Sequence, residues 1–230
     1  MKIDHVHFYT RNAARTKDWF IGKVGFKAIG NCISQHTQTE LIALNSAYFV
    51  ISSPLNSASP VAQYLNCHPE GVADVAFRVK NLAATIERSR RLGVKTVQNI
   101  QLWRSSPNKF RFAQITGWQD VQHTLIEETG QPDCCIPIAL KPYKMRQTSK
   151  SSQSNLTQID QIDHIVLNVA QGKLEPAVKL YQELFNFEVQ QSFQIQTSSS
   201  GLTSQALIDD EGEVQFNINQ PTTANSQIQE

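Results

Sequence analysis

Two short stretches of this 230-residue chain carry the same chemistry-bearing residues in the same order. Lys2-Ile3-Asp4-His5-Val6-His7 recurs almost residue for residue as Gln161-Ile162-Asp163-His164-Ile165-Val166. Each places a carboxylate and an imidazole in an apolar, β-prone setting. A neutral imidazole on a rigid strand can ligate a divalent metal. Taken alone, the simpler reading is a partly buried strand histidine bonded to backbone. His7 is expected on the face opposite His5. His36, His68 and His123 have no partner at metal-ligand spacing and are read as surface or loop residues. Cys32, Cys67, Cys134 and Cys135 form no C-x-x-C pair, and the adjacent two suit neither an ordinary disulfide nor a zinc clamp, so all four are read as reduced thiols. No G-x-S-x-G elbow, P-loop or dinucleotide fingerprint is present.

The elements around the first stretch read as strand (3–9), helix (13–24) and three strands (26–29, 40–44, 47–52). Gly25 stops the helix, and Trp19 and Phe20 are expected in the core. The order starts again near Gly71: strand 73–79, helix 82–92 ended by Gly93, then strands 94–97, 110–115 and 123–127. Arg88, Arg90 and Arg91 read as a solvated helix face. Trp103 and Trp118 flank a loop-like stretch, 104–109, and are candidates for a subunit interface. The order starts a third time at Gln161, with a helix over 175–184 and strands over 187–193, 204–208 and 214–219. Phe185-Asn186-Phe187 echoes Val24-Gly25-Phe26. Such an internal repeat is more informative than any single motif.

Residues 141–158 carry Lys141, Lys144, Arg146 and Lys150, no acid, and much serine, threonine and glutamine, the composition of a solvated linker. The expected organisation is a two-module domain over 1–140, a linker over 141–158, and a further module over 159–230. Apolar residues make up 40% and charged residues 18%, enough for a packed core. A formal charge of +1 lacks the field of a general nucleic-acid binder. No apolar run approaches a membrane span and the N-terminus carries no secretory pattern, so a cytoplasmic location is expected.

The strand-helix-three-strand repeat resembles the modules of the vicinal oxygen chelate superfamily, the glyoxalase and dioxygenase fold. The implied fold class is α+β, built from tandem βαβββ modules. Residues 1–26, HPEGVADVAFRV (68–79), QIDHIVLNV (161–169), 199–221 and SQIQE (226–230) together resemble the 4-hydroxyphenylpyruvate dioxygenase family over most of the chain. Members convert an aromatic α-keto acid, 4-hydroxyphenylpyruvate, to homogentisate and CO₂ with Fe(II) and O₂, and a near relative makes 4-hydroxymandelate. The resemblance implies that His164 is an iron ligand and that Ser204, Asn219 and Gln227 face the substrate. Asn217 stands where the family usually has proline.

The family's second iron histidine and its glutamate lie in a fourth module, expected beyond Glu230. The chain is therefore expected to be a C-terminally truncated relative, poorly active alone and holding iron weakly. Two alternatives stay open. One is a non-catalytic relative or dimerisation scaffold, whose open third module leaves room for a homo-oligomer. The other is a glyoxalase-type metal site within the first domain, from His5, Asp74 and Glu127. No nucleic-acid or membrane partner is expected.

Overall fold

Asn12 and Gly25 bracket the first helix, α1 (Ala13–Val24). The Asn12 carboxamide accepts from the Arg15 amide, and Gly25 turns the chain at φ +93°. This helix lies between β1 (Lys2–Tyr9) and the strands β2 (Lys27–Ile33), β3 (Thr37–Leu44) and β4 (Ala47–Pro54). A short helix, α2 (Pro60–Leu65), follows. Ser59 caps it and Pro60 opens it. The second module contains β5 (Gly71–Arg78), α3 (Leu82–Arg91), β6 (Thr96–Ser105), β7 (Asn108–Thr116) and β8 (Gln122–Glu128). A two-residue strand, β9 (Lys141–Pro142), runs along β2. The third module contains β10 (His164–Asn168), α4 (Leu174–Phe185), β11 (Glu188–Gln196), β12 (Gly201–Ile208) and β13 (Gln215–Pro221). The computed structural model describes residues 1–105, 108–128, 136–138, 141–143, 159–196, 200–223 and 226.

Each module pairs its strands in the same order: first, last, third, second. This gives β1-β4-β3-β2, β5-β8-β7-β6 and β10-β13-β12-β11, with the first and last strands parallel each time. Modules one and two join where β1 lies antiparallel to β5, giving a nine-stranded sheet that includes β9. The third module makes its own four-stranded sheet. The architecture is α+β, of tandem βαβββ modules with the glyoxalase and dioxygenase topology.

Strand alternation sorts the side chains to two faces. On β7, Ala113 and Ile115 meet α3, while Phe110, Phe112 and Gln114 turn to the concave side. The helix α4 covers one face of the third sheet with Leu174, Ala177, Val178, Tyr181 and Leu184, all buried. Its N-terminus lacks a side-chain cap of its own. The Gln220 side chain fills that role by accepting from the amides of Gly172 and Leu174. The cores of modules two and three are continuous: Phe77, Leu82, Ile86 and Leu125 share one buried cluster with Tyr181, Phe185 and Phe216.

Several expectations change. Trp19 is 55% exposed, because the buried face of α1 runs through Ala13, Phe20 and Val24. Within the stretch read as loop-like, Arg104 pairs with Lys109 and Ser105 with Asn108, continuing β6 and β7. Trp103 packs on Phe110 and Phe112, and Trp118 packs on the shared core. Arg88 is half-buried, and its guanidinium donates to the Leu184 carbonyl at the end of α4. Cys134, Cys135 and most of 141–158 lie outside the described residues. At the start of that segment Tyr143 donates to the Glu40 carboxylate (2.5 Å), beside Lys17.

Candidate functional site

The third sheet turns its α4-free face outward. Register places Ser204 opposite Asn219, and Asn168 opposite Asn219 on the other side. His164 lies at the start of β10, two and four residues before Val166 and Asn168, so all three point to this face. His164, Ser204 and Asn219 therefore share one sheet face, with His164 at one end. Gln227 lies outside the described residues. Asn219 donates to Asn168 at 3.3 Å. Ser204 is 1% exposed, and its buried hydroxyl has no hydrogen-bond partner among the described residues. An unpaired buried hydroxyl costs about 1–3 kcal/mol, which a polar ligand atom would relieve.

His164 keeps 44% of its side chain exposed, and its Nδ1 lies 2.8 Å from Asp163. A carboxylate on Nδ1 leaves Nε2 as the outward nitrogen, a common arrangement for a metal-ligating histidine. As an iron site the face is incomplete. Among the described residues, the cluster of histidine, cysteine or carboxylate groups at mutual ligand distance is Asp209, Asp210 and Glu211, which does not include His164. A two-His-one-carboxylate set is not met by these residues.

The nine-stranded sheet forms a cup. His5, His7 and Tyr9 all line its cavity. Side-chain alternation has period two, so His7 shares the face of His5, correcting the expected opposite placement. The Nδ1–H of His5 donates to Asp4 (2.6 Å), which also takes the Arg78 guanidinium (2.7 Å). Burial pushes the Asp4 carboxyl up, but His5 and Arg78 outweigh it and hold it below the usual range. His7 Nε2 meets the Ser52 hydroxyl at 2.8 Å, and burial lowers its pKa to about 4. Burial, reinforced by Asp74 and Tyr64, raises Tyr9 to about 12. Asp74 sits opposite His7 and accepts from Gln114 Nε2, the Thr124 amide and the Thr124 hydroxyl.

Glu127 is not part of this group. Its neighbour Ile126 faces the cup, so Glu127 turns to the other side of β8. There it accepts from the Leu82 amide at the start of α3 (2.9 Å) and from Arg111 (2.7 Å). His5, Asp74 and Glu127 are thus not brought together, and the glyoxalase-type site expected from them is not assembled.

A family model described as a glyoxalase-like domain matches residues 3–139. The chain belongs to the glyoxalase-like domain family. Among curated relatives, an uncharacterized protein of Synechocystis sp. is 31% identical over 229 residues, 100% of this chain and 62% of that protein. The 4-hydroxyphenylpyruvate dioxygenase of Caenorhabditis briggsae is 28% identical over 241 residues, 99% of this chain and 61% of that protein. That of Yarrowia lipolytica is 25% identical over 240 residues, with 99% and 61% covered. The chain thus spans about three fifths of the length of the curated relatives it matches. Among solved structures, a mutant of 4-hydroxymandelate synthase from Streptomyces coelicolor superposes with a TM-score of 0.83 at 17% identity, covering 99% of this chain and 65% of that one. The relation to the 4-hydroxyphenylpyruvate dioxygenase family is distant and extends over nearly the whole chain.

The second module also seats the third, through His123. His123 is fully buried rather than at the surface or in a loop. It lies on the helix side of β8, with rings of Phe77, Tyr181 and Phe185 around it. Its Nδ1 faces the Val75 carbonyl (3.2 Å) and its Nε2 the Tyr181 hydroxyl (2.9 Å). Of the other two, His68 pairs with Asp120 (3.2 Å), and His36 meets the Asn56 side-chain oxygen (3.0 Å).

Asp209, Asp210 and Glu211, on the β12–β13 turn, belong to the same seam. Asp209 takes the N-terminal ammonium (2.6 Å) and the amides of Glu213 and Val214. Glu211 takes that ammonium (2.7 Å) and Lys80 (2.8 Å). The Lys80 hydrogen bond is the main cause that lowers Glu211 to about 2. The cluster offers carboxylates without imidazole, an incomplete set for iron, and ammonium groups already occupy two of its members. Among the described residues no helix is long and apolar enough to cross a membrane.

Proposed function

We propose that this chain works in the chemistry of the 4-hydroxyphenylpyruvate dioxygenases: Fe(II)- and O₂-dependent conversion of that aromatic α-keto acid to homogentisate and CO₂. The observation that carries the reading is the Ser204 hydroxyl, buried and unpartnered on the face that also bears Asn219 and His164. In this reading Ser204 and Asn219 orient the bound keto acid by hydrogen bonds, and Gln227 has the same part by resemblance. Asp163 holds His164 in the tautomer that leaves Nε2 for the metal. Iron, when bound, supplies chelation of the keto acid and activation of O₂. The described residues supply one protein ligand, so their own contribution is binding and orientation.

The test is equilibrium dialysis of the 230-residue chain against Fe(II), with and without 4-hydroxyphenylpyruvate, followed by a homogentisate assay. The expected result is weak iron retention that is lost in His164→Ala, substrate retention that falls in Ser204→Val, and little turnover. Retention identical in His164→Ala and wild type overturns the ligand assignment. The single imidazole also favours a second reading, a non-catalytic scaffold. Absence of any iron or keto-acid retention at millimolar concentrations supports that reading instead.

A further inference from the structure

The cup of the first two modules has a cavity of about 220 Å³. That is smaller than the roughly 300–1,000 Å³ of sites for drug-sized ligands, and suits a single ring with a short substituent. Val50, Phe112, Ile136 and Ile138 give the cavity its apolar lining, and His5 and Tyr9 bring polar groups to it. His5 is 3% exposed, and Asp4 takes its Nδ1 proton. With Asp4 on Nδ1, Nε2 is the remaining nitrogen of the ring, and it has no hydrogen-bond partner among the described residues. The Tyr9 hydroxyl likewise has no hydrogen-bond partner among the described residues, and its ring is fixed by edge contacts to His7 (4.9 Å) and Tyr64 (5.2 Å).

The donor set excludes two ligand classes. A metal would need a second and third ligand beside His5, but among the described residues the group of three at mutual ligand distance is Asp209, Asp210 and Glu211, outside this cavity. An anion would find no lysine or arginine to compensate its charge among the described residues that line the cavity. What the described residues leave unsatisfied is one imidazole nitrogen and one hydroxyl beside an apolar lining. We propose that the N-terminal cup binds a small neutral ring compound bearing a hydroxyl group, a phenol or aromatic alcohol. Its O–H donates to His5 Nε2, its oxygen accepts from Tyr9, and its ring packs on Val50, Phe112 and Ile136. This site lies in a different sheet from His164, Ser204 and Asn219.

The test titrates 4-methylphenol into the iron-free full chain at about pH 7.5, with calorimetry as readout and benzoate as the anionic control. The expected result is saturable binding of one 4-methylphenol per chain and none of benzoate. His5→Phe and Tyr9→Phe each weaken binding by about fivefold or more, the scale of one lost hydrogen bond. His5→Phe removes the Asp4 partner and can fail to fold, so His5→Gln, which keeps an acceptor, is tested beside it and retains binding within about threefold. Gln98→Trp, at an exposed lining residue, blocks binding without touching the core. No saturation by about 10 mM, a range that admits even very weak ligands, overturns the proposal. Equal binding of benzoate, or binding unchanged in Tyr9→Phe and Gln98→Trp, overturns it too. The assay uses no iron and no third-module residue, so it fails or succeeds separately from the dioxygenase reading.

Discussion

The Tyr181 hydroxyl, on the third module's helix, lies 2.9 Å from Nε2 of His123 in the second module. The proton positions follow from the partners. The Val75 carbonyl can only accept, so Nδ1 of His123 carries the hydrogen and Nε2 is the acceptor. Tyr181 therefore donates to Nε2, and its oxygen accepts from the Trp118 amide (3.2 Å). A buried relay of three groups, all satisfied, joins modules that are far apart in sequence.

Tyr181→Phe leaves His123 Nε2 and the Trp118 amide unpaired in a fully buried site. The expected cost is about 1–3 kcal/mol of unfolding free energy, with the phenyl ring still packed on Phe216. Urea denaturation at neutral pH measures it. A loss below about 0.5 kcal/mol would show that the relay is not structural.

The same relay sets a pH dependence. Burial lowers the His123 pKa below its ordinary 6.5, against the opposing pull of Asp74 and the Val75 carbonyl. The unfolded chain then binds more protons than the folded one below about pH 6.5, so stability is full above that value and falls as pH drops. His7, lowered from 6.5 to about 4, adds a loss of the same sign. Denaturation midpoints should decline from pH 7 to pH 5. The slope should be shallower, though not zero, in His123→Gln, because His7 still titrates. An unchanged slope in that variant would remove His123 from the account.

Gly117 is the close-approach position of this seat. A Cβ there would lie 2.4 Å from His123 Nε2 and 2.8 Å from the Tyr181 hydroxyl. Gly117→Ala must displace the relay rather than a flexible chain end, and is expected to cost about 1–3 kcal/mol. If Gly117→Ala and Tyr181→Phe act through one relay, the double variant should lose less than the sum of the two, which a double-mutant cycle in urea will show.

Much of the fold was legible because local signals and the repeat agreed. Asn12 and Gly25 mark both ends of α1, and the Asp-His strand announces the start of a module twice. What was not legible depends on distant partners. His123 looked unremarkable because its partners are a carbonyl 48 residues away and a hydroxyl 58 residues away. The available signal was its phase: it sits two residues before buried Leu125, on the helix side of β8. Trp19 has the residue type of a core position but lies one helical step off the stripe through Ala13, Phe20 and Val24. The short α2 has a good start signal in Ser59-Pro60, but its six residues carry almost no periodicity to mark it as a helix.

Glu127 shows how alternation decides between metal ligand and structural carboxylate. Thr124 and Ile126 face the cup, so Glu127 meets the opposite layer, where it holds the Leu82 amide and Arg111. Glu127→Gln keeps an oxygen for the amide but loses the charge that favours both the helix N-terminus and the guanidinium. Arg111 is 39% exposed, so solvent screens that pair and the loss should stay near 1 kcal/mol. Glu127→Ala should cost about 1–2 kcal/mol, because the amide also loses its cap. Thermal denaturation measures both variants. Binding of Fe(II) and of 4-methylphenol should be the same in both variants as in wild type, since neither the third sheet nor the cup contains this side chain. A variant that keeps its stability but loses Fe(II) binding would instead return Glu127 to a metal site.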